Sequence, residues 1–296
     1  GMPYIQTAMG NTQVVLRQVD GTEILRRIEQ QGVTMLCGAP AVINMVLDAA
    51  QEWDGPIPGR DRVRVVVAGA PPPTRTIARV ADELGWEFIQ IYGLTETAPL
   101  LTINRSRTEW DDLEPMERAK RLSRAGVPAI GVRMQVDEEG EVQAQSNHVL
   151  AGYWEQPEES ATALEGGWFH TGDGGVIDDE GYVVISDRKK DVIISGGENV
   201  SSIEVEDALM GHPAVREVAV IGTPHEKWGE LVTALVVVDT EVTADELVAH
   251  CRTQLAGYKI PRLVEFRDEL ARTATGKLQK FKLREPFWKD QERQVH

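Results

Sequence analysis

The sequence predicts an α/β layered domain with a small β-barrel subdomain, followed by a separate small α+β domain. Three observations carry this expectation. Residues 14–91 alternate short β-branched runs with helical patterns, the order expected of a mainly parallel sheet covered by helices. From 127 to 186 the helical period gives way to short alternating runs separated by Asp-Glu-Glu-Gly and Asp-Asp-Glu-Gly turns, which suggests a small antiparallel barrel or sheet. After Asp187 helices and strands mix again in a compact pattern. The division drawn from this is 1–187 (1–125 α/β, 126–187 small β-barrel) and 188–296.

Taken in order, 14–16 reads as a first strand, 22–31 as a helix, 33–36 as a strand, 41–50 as a helix, 63–67 as a strand, 74–84 as a helix and 88–91 as a strand. The segment 106–124 is dense in charge and reads as a solvated helix or excursion without chemistry of its own. Runs 132–136, 141–145 and 181–185 supply strands to the small subdomain. Beyond it, Ser201 or Ser202 can cap a helix ending near Met210, 215–221 and 231–238 read as strands, and Thr243 with Glu246 makes a capping box.

Bulk properties narrow the function classes. A chain of 296 residues, 42% hydrophobic and 26% charged, has the makeup of a soluble globular protein and room for two domains. A formal net charge of -16 argues against a nucleic-acid partner or an anionic membrane surface, leaving Arg188-Lys189-Lys190 as a local anion site. The two cysteines, Cys37 and Cys251, lie far apart and suggest neither a disulfide framework nor a zinc site, so a reducing, cytoplasmic setting is expected. The longest apolar runs fall far short of the ~20 residues that span a bilayer, and no integral membrane segment is expected. The first residues do not read as a secretory signal; they read as a chain entered partway through.

Four strings invite chemistry. Gln90-Ile91-Tyr92-Gly93-Leu94-Thr95-Glu96 runs from a strand into a glycine turn that can offer an aromatic face to a base, a hydroxyl to a phosphate and a carboxylate to magnesium. A strand end with a capped helix start is the plainer alternative. His170-Thr171-Gly172-Asp173 is followed, fifteen positions after Asp173, by Arg188; the carboxylate can accept both hydroxyls of a ribose and the arginine can return to the same sugar or phosphate. For Asp173 alone a turn residue is the commoner fate of Asp between glycines, and pairing with Arg188 favours the ligand reading. Gly196-Gly197 follows a strand, and such a pair makes a tight turn or lets a ligand approach the backbone. Lys277 sits in a Gly/Thr-rich loop, where a lysine is ordinarily a solvated charge.

In order, Tyr92-Gly-Leu-Thr-Glu96, Gly140-Glu141 with Gly152-Tyr153-Trp154, His170-Thr-Gly-Asp173, Asp187-Arg188-Lys-Lys-Asp191, Gly196-Gly197-Glu198 and Thr275-Gly276-Lys277 resemble the core motifs of the adenylate-forming superfamily of acyl-CoA synthetases, peptide-synthetase adenylation domains and beetle luciferases. The resemblance runs through nearly the whole chain and is nearest to medium- and long-chain fatty-acid:CoA ligases; Ile194 stands where luciferases place a second lysine. It implies ATP, magnesium and coenzyme A as cofactors and a small carboxylic acid as substrate. It further implies that Tyr92 stacks on adenine with Gly69, Ala70, Pro71, Gln90, Ile91 and Gly93 around it, and that Thr95 binds the α-phosphate while Glu96 holds the metal. Asp173 and Arg188 would bind the ribose and Lys277 would bridge carboxylate and α-phosphate. Gly196 and Gly197 would line the CoA tunnel, and Lys190 would be the hinge of a mobile C-terminal domain. The acyl pocket would draw on the region after Cys37, including Val42, Met45 and Val46, and on Ala98-Pro99-Leu100.

Three residues depart from the family pattern: Ala271 replaces a proline, Ser146 a glycine, and Gly174 an apolar residue. The family's Ser/Thr/Gly-rich phosphate loop does not occur in these 296 residues, so the expectation is a C-terminal fragment whose partner is a missing N-terminal portion and which is inactive alone. Two other readings remain: an acyl- or aminoacyl-AMP ligase loading a carrier protein, and a non-catalytic nucleotide-binding fragment.

Overall fold

The computed structural model describes residues 2–273 and 277–289. The chain divides into two compact units, one of residues up to 137 with 143–171 and 177–184, the other of 138–142, 172–176 and the chain from 185 onward.

In the first unit α1 (Met2–Ala8) precedes α2 (Gly21–Gln31). The Asp20 carboxylate caps α2 by accepting the Glu23 N–H at 2.7 Å, and Gly32, in the left-handed region, closes its end. Residues 14–16 are not the expected strand; they are coil, with Val15 81% exposed. A β-branched run becomes a strand when a neighbouring strand and a half-buried face receive it, and among the described residues none pairs with it. A five-stranded sheet follows, β1 (Met35–Gly38), β2 (Arg64–Val67), β3 (Glu87–Tyr92), β4 (Thr102–Arg105) and β5 (Val127–Pro128), in that order. The first three strands are parallel, as expected, while β4 pairs antiparallel with β3 and β5 antiparallel with β4, which the sequence did not indicate.

Helix α3 (Pro40–Gln51) joins β1 to β2, and α4 (Thr74–Arg79) joins β2 to β3, its last turn widened into a π-turn at Val80–Leu84. Ile24, Leu25, Ile28, Ile43, Val46 and Leu47 pack with Val65, Val67 and Phe88 into the core. The loops after β2 and β3, bearing Gly69 to Pro71 and Gly93 to Glu96, therefore leave the carboxyl ends of parallel strands, where ligands of such sheets bind.

The charged excursion is more than a solvated face. Its helix α5 (Pro115–Ser123) buries Ala119 and Leu122, and Trp110 packs in the core beside Tyr182 with ring centroids 6.0 Å apart. Arg124 lies 3.8 Å over the Tyr182 ring and reaches Asp178 at 2.8 Å and Glu180 at 2.6 Å, pinning the turn between two later strands. The small β subdomain is a four-stranded sheet in chain order, β6 (Arg133–Val136), β7 (Glu141–Gln145), β8 (Phe169–Ile177) and β9 (Val183–Arg188), with α6 (Pro157–Ala163) between β7 and β8.

The second unit adds β10 (Ile193–Ser195), β11 (Glu198–Val200), α7 (Ser202–Met210), β12 (Val215–His225), β13 (Gly229–Val238), α8 (Ala244–Arg252), β14 (Leu263–Phe266) and α9 (Lys280–Trp288). Strand order is β11-β10-β13-β12, with β14 beside β13. Side chains alternate: Val218, Val220, Val232, Ala234 and Val236 pack against Leu209 of α7 and Leu247 of α8. Ala219, Ile221, Leu235 and Val237 meet Leu283 and Phe287 of α9 on the other face. Both faces are covered, which is why these strands read as continuous apolar runs. Ser201 caps α7, accepting from Glu204 at 3.2 Å, and Thr243 with Glu246 forms the expected capping box. No helix among the described residues is long and apolar enough to cross a membrane.

Two expectations follow. Leu209→Ala should destabilise the α7-bearing core by about 2–5 kcal/mol, read by urea denaturation of the wild type and the variant. Burial pushes the Cys251 thiol to about 11, and desolvation raises the Cys37 thiol too, but of the two Cys37 is exposed and Cys251 buried. Alkylation at pH 8, followed by mass spectrometry, should modify Cys37 in the native chain and Cys251 only after unfolding.

Candidate functional site

In the first unit β3 delivers Gln90 buried and Tyr92 half-buried to a sharp turn at Gly93. A Cβ at Gly93 would lie 1.8 Å from the Pro99 carbonyl oxygen, so glycine is required where the chain doubles back. The Leu101 N–H donates to the Tyr92 carbonyl at 2.8 Å, and the Leu94 N–H donates to the Thr97 hydroxyl at 2.9 Å. These bonds fix the short 3₁₀ turn Thr95–Thr97 on which Thr95 is exposed and Glu96 half-buried. Tyr153 donates its hydroxyl to Glu96 at 3.2 Å, and the Leu150 N–H donates to the Glu96 carbonyl at 2.7 Å. Burial, followed by the Glu96 charge and hydrogen bond, raises the Tyr153 pKa, which keeps the phenol a donor. One oriented carboxylate beside an exposed hydroxyl suits magnesium, which takes one or two carboxylates and completes its shell with phosphate oxygens and water.

Gly69 has φ +93° and open space at its missing Cβ, leaving the Gly69-Ala70-Pro71 loop free to approach a ligand. The departure at Ser146 has a visible use. Its hydroxyl lies 2.7 Å from His148 Nδ1 while His148 Nε2 lies 3.0 Å from the Leu100 carbonyl, so the imidazole carries its proton on Nε2 and links this loop to the Ala98-Pro99-Leu100 segment.

In the second unit Asp173 is 6% exposed and its Oδ1 lies 3.5 Å from Arg188 Nε, so the two residues paired by the sequence are neighbours. Gly174 sits where a Cβ would come within 3.2 Å of the Ser186 hydroxyl; a larger residue there would crowd β9. The Thr273 N–H donates to the Lys277 carbonyl at 2.8 Å and the Gln279 N–H donates to the Ala271 carbonyl at 2.9 Å, an acceptor that proline at 271 would offer equally. Thr275 and Gly276 lie outside the described residues. The exposed Lys277 amine has its pKa lowered by partial desolvation, then by the charges of Arg188 and Lys190, with Asp173 and Asp191 opposing. Lys277 thus stands in the electrostatic field of the Asp173–Arg188 pair.

Gly196 and Gly197, at φ +64° and +87°, make the two-residue turn of the β10–β11 hairpin, where both positions demand the left-handed region. The capped helix expected from Ser201 or Ser202 follows β11 as α7. Gly196 cannot carry a side chain, because a Cβ would fall 2.7 Å from the Trp228 ring, whereas nothing lies within 4 Å of one at Gly197.

Residues 2–154 match the family model of AMP-binding enzymes, and residues 204–277 match the model of the AMP-binding enzyme C-terminal domain. The chain belongs to the AMP-binding enzyme family. It is 41% identical to the 2-methylpropanoate–CoA ligase of Humulus lupulus over 96% of this chain and 53% of that protein. Among solved structures it resembles ATP-bound MatB from Rhodopseudomonas palustris, at TM-score 0.82, 30% identity and coverage of 98% of this chain and 57% of that one. It also resembles the amide bond synthetase McbA from Marinactinospora thermotolerans, at TM-score 0.81, 33% identity and coverage of 95% and 58%. The chain spans about half the length of the curated relatives it matches. An adenylate-forming fold, inferred from the ordered motifs, is the fold of this family member.

Several residues of this AMP-binding chain escaped the sequence reading. Trp228 accepts the Gly196 N–H on its carbonyl at 2.8 Å and packs its ring under the turn, with the Arg262 guanidinium 4.3 Å from the ring centroid. Arg284 of α9 holds the segment after β9, pairing with Asp191 and donating to the Lys190 carbonyl at 3.1 Å. Neither has a sequence signature, since each acts through residues distant in the chain. Releasing the Arg284 contact should expose the peptide bonds after Lys189 and Lys190. Arg284→Ala is expected to raise the initial rate of tryptic cleavage there several-fold, read by mass spectrometry, with cleavage elsewhere unchanged apart from the site lost at position 284 itself.

Proposed function

We propose that this chain is the portion of an ATP-dependent acid:CoA ligase that carries the adenine, ribose, magnesium and thiol contacts. The reaction is carboxylic acid plus ATP to acyl-AMP and pyrophosphate, then acyl-AMP plus CoA to acyl-CoA and AMP. The observation that carries this reading is the buried Asp173 carboxylate 3.5 Å from the Arg188 guanidinium. One acceptor for ribose hydroxyls set beside a cation suits a nucleoside phosphate.

The roles follow from the chemistry. Tyr92, with Gln90, Ile91, Gly93 and the Gly69 to Pro71 loop, receives the adenine. Thr95 donates its hydroxyl to the α-phosphate, and Glu96, oriented by Tyr153, holds magnesium, which when bound neutralises phosphate charge. Asp173 and Arg188 bind the ribose. Lys277 places a fixed positive charge where negative charge gathers as the carboxylate attacks the α-phosphate and pyrophosphate leaves. Residues 188–296 act as the mobile domain with Lys190 as hinge, and the Gly196-Gly197 turn takes the pantetheine arm of CoA, with Trp228, Arg262 and Lys227 offering an aromatic and cationic surface beside it. The substrate is an aliphatic or aryl acid, with fatty acids the first choice from motif resemblance; the similarities to a 2-methylpropanoate ligase and a trans-cinnamate ligase set the short branched and aryl ends of the panel to be assayed. A carrier-loading or amide-forming use of the same acyl-AMP is the second reading, favoured by the similarity to an amide bond synthetase.

Calorimetric titration of the 296-residue chain is expected to show AMP binding, with ATP binding no tighter, since the phosphate-loop motif does not occur in it. Absence of AMP binding sinks the nucleotide assignment. In the full-length protein Lys277→Ala should slow pyrophosphate exchange by roughly 10²–10³ while thioester formation from supplied acyl-AMP survives; equal loss of both refutes the role. Gly197→Leu should do the reverse, sparing exchange and stopping CoA transfer.

A further inference from the structure

Gly140-Glu141 belongs to the ordered motif set, yet neither half-reaction gives its carboxylate a task. Glu141 opens β7 and is 6% exposed. Its two oxygens reach two different segments: Oε1 accepts the Gly172 N–H at 2.7 Å, and Oε2 accepts from Lys189 Nζ at 3.0 Å. Gly172 immediately precedes Asp173 on β8, and Lys189 immediately follows Arg188 at the end of β9. One side chain therefore grips the neighbours of both members of the pair.

We infer that Glu141 is a positioning residue for nucleotide binding, a two-armed tether that sets the placement of Asp173 against Arg188 by holding Gly172 and Lys189. The inference deepens the ligase reading and rests on its assignment of Asp173 and Arg188 to the ribose. The geometry explains why such a tether is needed. Asp173 Oδ1 and Arg188 Nε stand 3.5 Å apart, longer than the about 2.7–2.9 Å of a charge-assisted hydrogen bond. Unrestrained, opposite charges this close would collapse onto each other or splay apart, and either movement removes a ribose contact.

The tether's own chemistry demands a carboxylate. Gly172 has φ +72°, so its N–H points where a regular strand amide would not, and a side-chain acceptor meets it. Burial works against the Lys189 charge, but hydrogen bonds and charges of Glu141 and Glu139 overcome it and raise the amine's pKa, so the arm stays ionic. Glutamine would still accept from Gly172 while offering no charge to Lys189; alanine would release both.

The test compares the wild-type chain with Glu141→Ala, Glu141→Gln and Val205→Ala, the last a core truncation in α7 that weakens the same unit away from the pair. Amide exchange in the 169–177 segment, followed by mass spectrometry, reads the tether without nucleotide, and AMP calorimetry reads its consequence. Glu141→Ala should speed exchange at Gly172 and weaken AMP binding roughly tenfold, the equivalent of one charge-assisted hydrogen bond. Glu141→Gln should restore the Gly172 protection and part of the affinity, and Val205→Ala should leave AMP affinity unchanged. Wild-type affinity in Glu141→Ala, or an equal loss in Val205→Ala, overturns the positioning role. A wild-type chain that binds no AMP counts against the ligase reading instead, and unchanged Gly172 exchange in Glu141→Ala then overturns the tether on its own.

Discussion

The buried carboxylate of Asp187 is the constraint around which the second unit is arranged. It is 2% exposed and accepts two backbone N–H groups, from Arg188 at 2.9 Å and from Ser202 at 2.7 Å. One side chain thereby joins the end of β9 to the N-terminus of α7, where the helix favours negative charge. The Ser201 hydroxyl reinforces the junction by donating to the Ser186 carbonyl. Beside it, Lys280 forms an ion pair with Glu206 at 2.7 Å and a hydrogen bond with the Ser202 hydroxyl, and Glu206 also accepts the Val220 N–H at 2.8 Å. Burial opposes the Lys280 charge, and Glu206 and Asp187 overcome it, holding the amine's pKa above its ordinary value. A buried charge is tolerated only where every partner is present. The strand end bearing Arg188, helix α7 and helix α9 are thus fixed by a shared set of partners.

That arrangement makes the backbone just beyond it unusual. Residues 189–191 leave a rigid anchor at Asp187 and meet a second anchor at Arg284, with no regular sheet or long helix of their own. A short segment held by discrete side-chain contacts can exchange one arrangement for another only by releasing them, here Asp187 and Ser186 with the start of α7 and Asp191 with Arg284. The Gly196-Gly197 turn and the Lys277 loop hang on the same small sheet and its covering helix, so a change at the segment would carry both together.

The layered architecture was legible in the sequence wherever a signal was local. The Thr243–Glu246 capping box, the Ser201 cap and the alternation of strands and helices between 22 and 91 all depend on residues within a turn or two of each other. What failed did so for physical reasons. Residues 14–16 have strand composition but meet no neighbouring strand among the described residues, and composition cannot supply a partner. Strands β4 and β5 are short and earned their place by pairing with β3 rather than by pattern. Helix α9 carries Pro286 and little periodicity, and only its packing of Leu283 and Phe287 against the sheet makes it a helix. The excursion at 106–124 looked solvated because charges outnumber apolar residues, yet Trp110, Ala119 and Leu122 were enough to seat it. For the candidate site, motif order supplied the residues, but the pairing of Glu141 with Lys189 spans 48 positions and could be found only in three dimensions.

The two glycines of the β10–β11 turn differ in a way that bears on how this family member could diversify. Gly196 is confined by the indole of Trp228, so folding alone forbids a larger residue there. Gly197 faces open space and is limited only by its backbone angle, which asparagine and aspartate tolerate. A library selected merely for a folded chain would keep the first glycine and let the second drift toward those two residues. On the proposed CoA role, a library selected for acyl transfer would keep both, so the substitution spectrum at one position would separate what the fold demands from what that chemistry demands.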